Sequence, residues 1–184
     1  TPDMISLNTS NVGDFEATIT FNGISKKITV PVYTDPRKLD FSIDEEVGAI
    51  DSEIKNGDFI YIPKFSPNHV AITHIMERGF DLYSSGANVP NKFSAKWATS
   101  VDILAFGEIE KVEIPLVNAI PSGKIFTNKT KYADFSSLEN IQNFAEPFRD
   151  LENLNTIILK KIKTIGEEAF INDTNLSNIT LGNI

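Results

Sequence analysis

The residues best suited to acid–base or metal chemistry are the two histidines of the chain, His69 and His74. They lie five positions apart around a predicted strand, where side chains alternate between faces, so we expect them to point in opposite directions. No nucleophile motif such as Gly-x-Ser-x-Gly accompanies either one, and the chain has no cysteine. We therefore expect hydrogen-bonded or surface histidines, no bound metal, no cofactor and no enzymatic activity.

A second segment carries five closely spaced carboxylates that could bind calcium or pair for acid–base chemistry. The calcium-loop pattern Asp-x-Asp-x-Asp-Gly does not occur among them. A solvated helix face is the expected arrangement, and the spatial separation that glycoside hydrolysis requires is not encoded in sequence spacing. The five residues are Asp44, Glu45, Glu46, Asp51 and Glu53.

Two aromatic side chains, Trp97 and Tyr83, could stack on sugar rings. Isolated aromatics in a small domain more often contribute to the core, and that is the preferred interpretation. The alternative, a small carbohydrate-binding module in residues 36–107, stays open. It requires Trp97 to be exposed.

The composition indicates a soluble chain with a packed core. Hydrophobic residues make up 41% and charged residues 23% of the 184 positions, as in ordinary globular proteins. The formal charge of -8 opposes phosphate binding, so nucleic acid is not an expected partner. No apolar run approaches the roughly 20 residues that cross a bilayer, and we expect no membrane span.

The N-terminal segment, residues 1–35, has the pattern of a β-hairpin. Apolar and polar residues alternate from Phe15 to Phe21, and Asn22-Gly23 then favours a two-residue type I′ turn. A second alternating run comes after the turn. We therefore predict two antiparallel strands joined at this dipeptide.

The residues that lead into this hairpin have a further pattern. The stretch from Leu7 to Phe15, with Val12-Gly13 near its end, resembles the closing strands of bacterial immunoglobulin-like domains. The resemblance covers residues 5–33, whereas a complete sandwich needs about seven strands. It implies either an incomplete immunoglobulin-like segment or strands that pack on the next segment of the chain.

Residues 36–107 are expected to form a small α+β module. Ser42 and Glu45 have the spacing of a capping box, and apolar residues then repeat at helical intervals up to Ile54. Further along, the apolar runs are short and strand-like. Strands are predicted at 59–62, 70–73 and 101–106.

The C-terminal segment, residues 108–184, contains an internal repeat. Three apolar residues recur with a displacement of 22 positions, and strands of the same type are expected near 109–114 and 132–137. A Leu-x-x-Ile-x-Leu unit of this length is the signature of a leucine-rich repeat, whose stacked units bury continuous apolar columns. The matched pairs are Leu154/Leu176, Ile157/Ile179 and Leu159/Leu181.

The last unit, residues 162–181, resembles the BspA-like leucine-rich repeats of bacterial and some protist surface proteins. It carries Ile-Gly-x-x-Ala-Phe ending at Phe170, then Leu-x-x-Ile-x-Leu, whereas the preceding unit has Phe144-Ala145 in place of Ile-Gly. The resemblance implies a leucine-rich-repeat array over about 109–184, a secreted or cell-surface location in a bacterium, and adhesion to a host or neighbouring cell. No polar capping repeat comes after the last unit, so we expect the array to be truncated at its C-terminus.

The expected fold is therefore mixed and β-rich, with an N-terminal hairpin, an α+β middle module and a C-terminal solenoid. A protein or glycan ligand would bind the outer face of the solenoid strands. The alternatives are a merely solvated sheet face, or an accessory and possibly carbohydrate-binding region of a larger extracellular enzyme. The candidate binding residues are Lys111, Glu113, Thr156, Ile158, Lys160, Asn178 and Thr180.

Overall fold

The computed structural model is β-rich, with mostly short strands and a 3-10 helix at Pro36–Lys38. It describes residues 10–43, 45–50, 53–55, 57–80, 90–127 and 129–182. The strands are β1 (Gly13–Phe21), β2 (Ile24–Val32), β3 (Leu39–Phe41), β4 (Glu46–Ala49), β5 (Phe59–Tyr61), β6 (His74–Ile75), β7 (Lys92–Ser94), β8 (Ser100–Val101), β9 (Lys111–Glu113), β10 (Tyr132–Asp134), β11 (Asn140–Ile141), β12 (Thr156–Leu159), β13 (Thr164–Ile165) and β14 (Asn178–Leu181). No helix in these stretches is long and apolar enough to cross a membrane.

The chain coils into a β-solenoid of about five turns. One side is a six-stranded parallel sheet in the order β14-β12-β10-β9-β7-β5. A second side carries the four-stranded sheet β3-β4-β6-β8, in which only the β3–β4 pair is antiparallel, and the separate pair β11–β13. Parallel bridges join Phe80 to Phe106 and Phe106 to Phe126 on a third side. Because successive passes pair with each other, each turn is stabilised mainly by its neighbours.

The 22-residue register predicted for the last two units is confirmed. Strand β12 pairs with β14 so that Ile157 faces Ile179 and Leu159 faces Leu181. The expected strands near 109–114 and 132–137 are also present, as β9 and β10. The predicted periodicity therefore corresponds to one turn of the coil.

The same sheet extends into the region predicted as a middle module. Strands β5, β7 and β9 pair in register, with Phe59 opposite Lys92 and Lys92 opposite Lys111. The stretch of chain from Phe59 to Lys92 is much longer than that from Lys92 to Lys111, so the coil passes through loops of unequal length. A search for a constant period does not detect such turns.

The helix predicted between Ser42 and Ile54 is wrong. Glu46–Ala49, at its centre, form β4, which pairs with β3 on one side and β6 on the other. Two of the apolar residues that suggested a helix are buried without one: Val47 lies in a strand and Ile54 in the loop that follows it. Strand pairing outweighs the capping-box pattern here, because propensity is a weak prior against tertiary contacts.

Two other expectations for this region need correction. The strand predicted at 70–73 lies slightly later, as β6, although Ala71 forms an isolated bridge with Phe65. The strand predicted at 101–106 is short, since β8 ends at Val101. Each pass along this side of the coil leaves the sheet after a short strand.

The core contains a column of five phenylalanines, one from each successive turn. Neighbouring ring centroids in this column are 6.5, 5.4, 6.1 and 5.1 Å apart, with interplanar angles of at most 24°. Phe93 and Phe135 contact the column edge-on or tilted. Offset stacking of this kind adds to the stabilisation from apolar burial. The phenylalanine column consists of Phe80, Phe106, Phe126, Phe148 and Phe170.

The predicted N-terminal hairpin is confirmed, with Phe21 opposite Ile24 and a turn at Asn22-Gly23 in which both residues have positive φ. Its two strands form a sheet of their own, and no immunoglobulin-like sandwich surrounds it within the described residues. The hairpin meets the coil at Gly13, where a Cβ would approach the Phe59 ring to 3.2 Å. Glycine permits both this contact and the local φ of +140°.

Candidate functional site

The outer surface of the six-stranded sheet presents two parallel columns of side chains. In β9 and β10 the central residue, Val112 or Ala133, is buried, and its two neighbours are half-buried on the outer side. In β5 and β7 the corresponding third residue, Tyr61 or Ser94, is buried as well. The first column contains Phe59, Lys92, Lys111, Tyr132, Thr156 and Asn178. The second contains Tyr61, Ser94, Glu113, Asp134, Ile158 and Thr180.

The structure places six of the seven predicted binding residues in these columns. Lys111, Thr156 and Asn178 belong to the first column. Glu113, Ile158 and Thr180 belong to the second. Lys160 immediately follows β12 and is exposed beside them.

Sequence reasoning missed the aromatic residues of the same face. Phe59 and Tyr61 lie at the first strand, and Tyr132 lies next to Lys111. The apolar run at 59–62 was predicted to be a strand, and a further strand was expected near 132–137. Only the unequal turn lengths concealed that they share a face with the predicted residues.

Glu113 is the centre of a charge cluster on this face. Its carboxylate oxygens lie 3.1 Å from Lys92 Nζ and 3.0 Å from Lys111 Nζ. Burial alone would raise the pKa of Glu113, but hydrogen bonds from Lys111 and Lys92 outweigh it and hold that pKa below its ordinary value. The carboxylate therefore stays charged and fixes both lysines in place.

The same lysines also cover aromatic rings. Lys92 Nζ lies 4.5 Å from the centroid of the Phe59 ring, and Lys111 Nζ lies 4.5 Å from that of Tyr132. These cation–π contacts orient the ammonium groups across the sheet. The result is a preorganised surface on which aromatic and charged groups lie next to each other.

A groove of about 320 Å³ lies between the hairpin and the first strands of this face. Asp14 of β1 accepts a hydrogen bond from the Tyr61 hydroxyl at 3.0 Å and pairs with Lys96. The hydrogen bond from Lys96 lowers the pKa of Asp14, whereas burial raises the pKa of Tyr61. Ser94 also lines the groove, and its buried Oγ has no hydrogen-bond partner among the described residues.

Of the two aromatic residues considered for sugar stacking, Trp97 and Tyr83, only Trp97 lies in the described part of the chain. Trp97 is 40% exposed, and Lys64 Nζ lies 4.9 Å from its ring. Phe65 is exposed beside the same lysine. Tyr83 lies outside the described residues.

The histidines are placed apart, as expected from their spacing. His69 is exposed in a turn with φ of 64°. His74 lies on β6 and approaches two carboxylates, Glu46 and Asp102, from neighbouring turns. Of the predicted carboxylate segment, Asp44 and Asp51 lie outside the described residues, and Glu46 belongs to a strand. Among the described residues, this histidine cluster has the side chains that could hold a metal ion.

The chain matches no family model, no curated protein and no solved structure. Its function is therefore inferred from the faces described above.

Proposed function

We propose that this protein is a non-catalytic interaction module that binds a protein or glycan through the outer face of its six-stranded sheet. The observation that carries the proposal is the patch of aromatic and charged groups that β5, β7, β9 and β10 contribute to the outer columns. Phe59, Tyr132, Lys92, Lys111 and Glu113 lie on adjacent strands of one rigid sheet. A preorganised face loses little conformational freedom on binding.

The physical properties of this face suit recognition. Aromatic side chains bury a large area per residue and have few rotatable bonds. The Lys92–Glu113–Lys111 cluster supplies fixed charges that orient a polar partner. Since Lys92 and Lys111 cover the rings, a ligand reaches the ring edges and ammonium groups before it reaches the ring faces.

The proposed setting is a bacterial cell surface or the secreted fraction, with a ligand on a host or neighbouring cell. Its support is the resemblance of residues 162–181 to BspA-like leucine-rich repeats, together with the 22-residue stacking of β12 on β14. In this proposal the last turns of the coil are leucine-rich repeats, and the earlier turns are irregular members of the same array. The proposal also keeps the interpretation of residues 5–33 as an incomplete immunoglobulin-like segment.

The binding proposal is tested with a glycan array and a displayed random-peptide library, both probed with the wild-type chain and with a Lys111→Ala/Tyr132→Ala variant. We expect specific glycans or peptides to be retained by the wild type and lost by the variant. The two arms separate the two ligand classes. Ligands that bind both forms equally, or no selectable ligand in either arm, would contradict the proposal.

The matched control is Lys163→Ala/Thr164→Ala. It also removes a lysine from an ion pair, since Lys163 Nζ lies 2.6 Å from Glu139. Both residues are exposed on the β11–β13 side of the coil. This variant should bind as the wild type does, which distinguishes a local contact from a general effect of charge.

A second candidate function is an accessory carbohydrate-binding region of a larger extracellular enzyme. The exposure of Trp97 and its position beside exposed Phe65 favour it. On the same glycan array, Trp97→Ala would then abolish binding while Lys111→Ala/Tyr132→Ala would not. The reverse pattern favours the sheet face.

A further inference from the structure

A separate cluster of metal-ligating side chains lies on the four-stranded sheet, away from the proposed binding face. The parallel pairing of β4, β6 and β8 places Glu46, His74 and Ser100 in one register column. Asp102 follows β8 by one residue and returns to the same face. Three successive passes of the coil thus bring an imidazole and two carboxylates together.

The donor atoms converge at distances that suit one shared ion. His74 Nε2 lies 3.1 Å from Asp102 Oδ2 and 3.8 Å from Glu46 Oε1, and the three donor atoms lie within 4.8 Å of one another. Zinc–nitrogen and zinc–oxygen bonds are about 2.0–2.2 Å long, so adjacent ligands around zinc are separated by about 3.0–3.5 Å. Small side-chain rotations would bring all three donors into this range.

The histidine ring is held from its other side. His74 Nδ1 and Ser100 Oγ are 2.6 Å apart, within hydrogen-bond distance. Metal-ligating histidines usually have such a partner for the second ring nitrogen, because it fixes both the tautomer and the ring orientation. When Nδ1–H donates to the Ser100 hydroxyl, the Nε2 lone pair is available to an ion placed between His74 and the two carboxylates.

The charge balance of the cluster also favours a cation. Glu113 has two lysine partners on the opposite face. Within the described part of the chain, by contrast, neither Glu46 nor Asp102 has a lysine or arginine within 4.0 Å, and both face His74. One imidazole does not neutralise two carboxylates, whereas a divalent ion does.

We infer that Glu46, His74 and Asp102 form a binding site for a divalent transition metal, for which zinc serves as the test ion. An imidazole with two carboxylates favours such metals over calcium or magnesium, which prefer all-oxygen sites. Three protein ligands leave a position for water. The ion would connect three turns of the coil, so its binding stabilises the folded chain.

The direct test is calorimetric titration of the chain with zinc after treatment with a chelator. We expect one zinc per chain for the wild type and loss of that binding in His74→Ala. His69→Ala is the matched control, since His69 is the other histidine of the sequence and lies in an exposed turn. Ser100→Ala keeps all three ligands and should weaken zinc binding by about tenfold or more. Calcium should produce no comparable heat.

A second measurement covers the case in which His74→Ala folds poorly. In ¹⁵N-correlated spectra of the wild-type imidazoles, zinc should shift the resonances of His74 and leave those of His69 unchanged. Glu46→Gln and Asp102→Asn should each weaken the zinc-dependent shift. Unchanged His74 resonances at millimolar zinc, or equal zinc affinity in His74→Ala and His69→Ala, would overturn the inference and leave a simple ion pair between His74 and Asp102.

Discussion

The last two passes of the six-stranded sheet carry equivalent apolar residues in one register but bury them to different extents. Ile157 and Leu159 of β12 are fully buried. Their partners on β14, Ile179 and Leu181, are 47% and 45% exposed. Strand β12 lies between β10 and β14, whereas β14 pairs only with β12 within the described residues.

This difference shows that burial in the coil depends on neighbouring turns as well as on sequence pattern. Within the described residues no strand pairs with the outer side of β14, and its inward-pointing Ile179 stays half exposed. In a solenoid the stability of each turn is therefore a sum of its own contribution and those of its interfaces. The repeat pattern predicts that Ile179 and Leu181 continue the apolar columns of Ile157 and Leu159; the register is confirmed, but these two residues are only half-buried.

Substitutions in the phenylalanine column should cause the largest loss in the free energy of unfolding. Phe148 is fully buried and lies within 6.1 Å, centroid to centroid, of Phe126, Phe135 and Phe170. Phe148→Ala should lower the free energy of unfolding by about 3–5 kcal/mol. Phe170 lies one turn later and is partly exposed, so Phe170→Ala should lower the free energy of unfolding clearly less. Denaturant unfolding followed by circular dichroism measures both, and equal losses would refute dependence on neighbouring turns.

A smaller effect is expected for the paired isoleucines. Ile157→Ala should cost about 2–5 kcal/mol as a fully buried truncation. Ile179→Ala should cost about 1 kcal/mol or less, because nearly half of its surface is already in contact with water. Thr156→Ala, on the outer column, serves as the surface control with little change. A full-sized loss at Ile179 would indicate that another surface covers β14 in solution.

The parts of the fold that depend on local or constant spacing could be predicted from sequence. Asn22-Gly23 specified the hairpin, and the constant displacement between the last two units specified the pairing of β12 with β14. The earlier turns could not be found in this way, since Phe59, Lys92 and Lys111 are register partners across unequal intervals of the chain. Strand pairing across loops of unequal length leaves no periodic signal.

The candidate sites, like the strands, could be predicted only where the turns have a constant length. Lys111, Thr156 and Asn178 could be assigned to one face because they lie in or near the regular turns. Glu46 and Asp102 lie far from His74 along the chain, one on each side of it, in segments interpreted as a helix and a strand. Only the coil brings these three side chains together. The helical interpretation of the first segment hid the outward position of Glu46.

A pH-dependent effect on stability is expected at a position where the two turns differ in chemistry. Leu151 is buried, and its equivalent one unit later is Asp173, which is also buried. Asp173 Oδ1 accepts a hydrogen bond from the Leu151 backbone N–H at 2.8 Å, while its buried Oδ2 has no partner among the described residues. Burial, assisted by the nearby charge of Asp150, raises the pKa of Asp173 to about 6 despite that hydrogen bond.

The raised pKa of Asp173 determines whether the free energy of unfolding rises or falls with pH. The unfolded chain has the ordinary aspartate pKa of about 3.9, so the folded chain binds the Asp173 proton more tightly. The protonated group contributes stability below about pH 4, and that contribution is lost as the pH rises to about 6. Asp173→Asn keeps an oxygen for the Leu151 N–H and carries no charge. It should therefore exceed the wild type in stability at pH 7, and this difference should disappear towards pH 4.

Glu139→Gln provides the opposite trend as a control. The hydrogen bond from Lys163 lowers the pKa of Glu139, so the carboxylate contributes stability at neutral pH and loses that contribution as the pH falls. Glu139→Gln should be the less stable form at pH 7, and its difference from the wild type should disappear in acid. Denaturant unfolding of the three chains from about pH 2.5 to pH 7 measures both slopes, because the Glu139 contribution is lost only below the ordinary glutamate pKa of about 4.3. If Asp173→Asn differs from the wild type equally at every pH, the cost at this turn comes from packing, and the buried charge of Asp173 is not its cause.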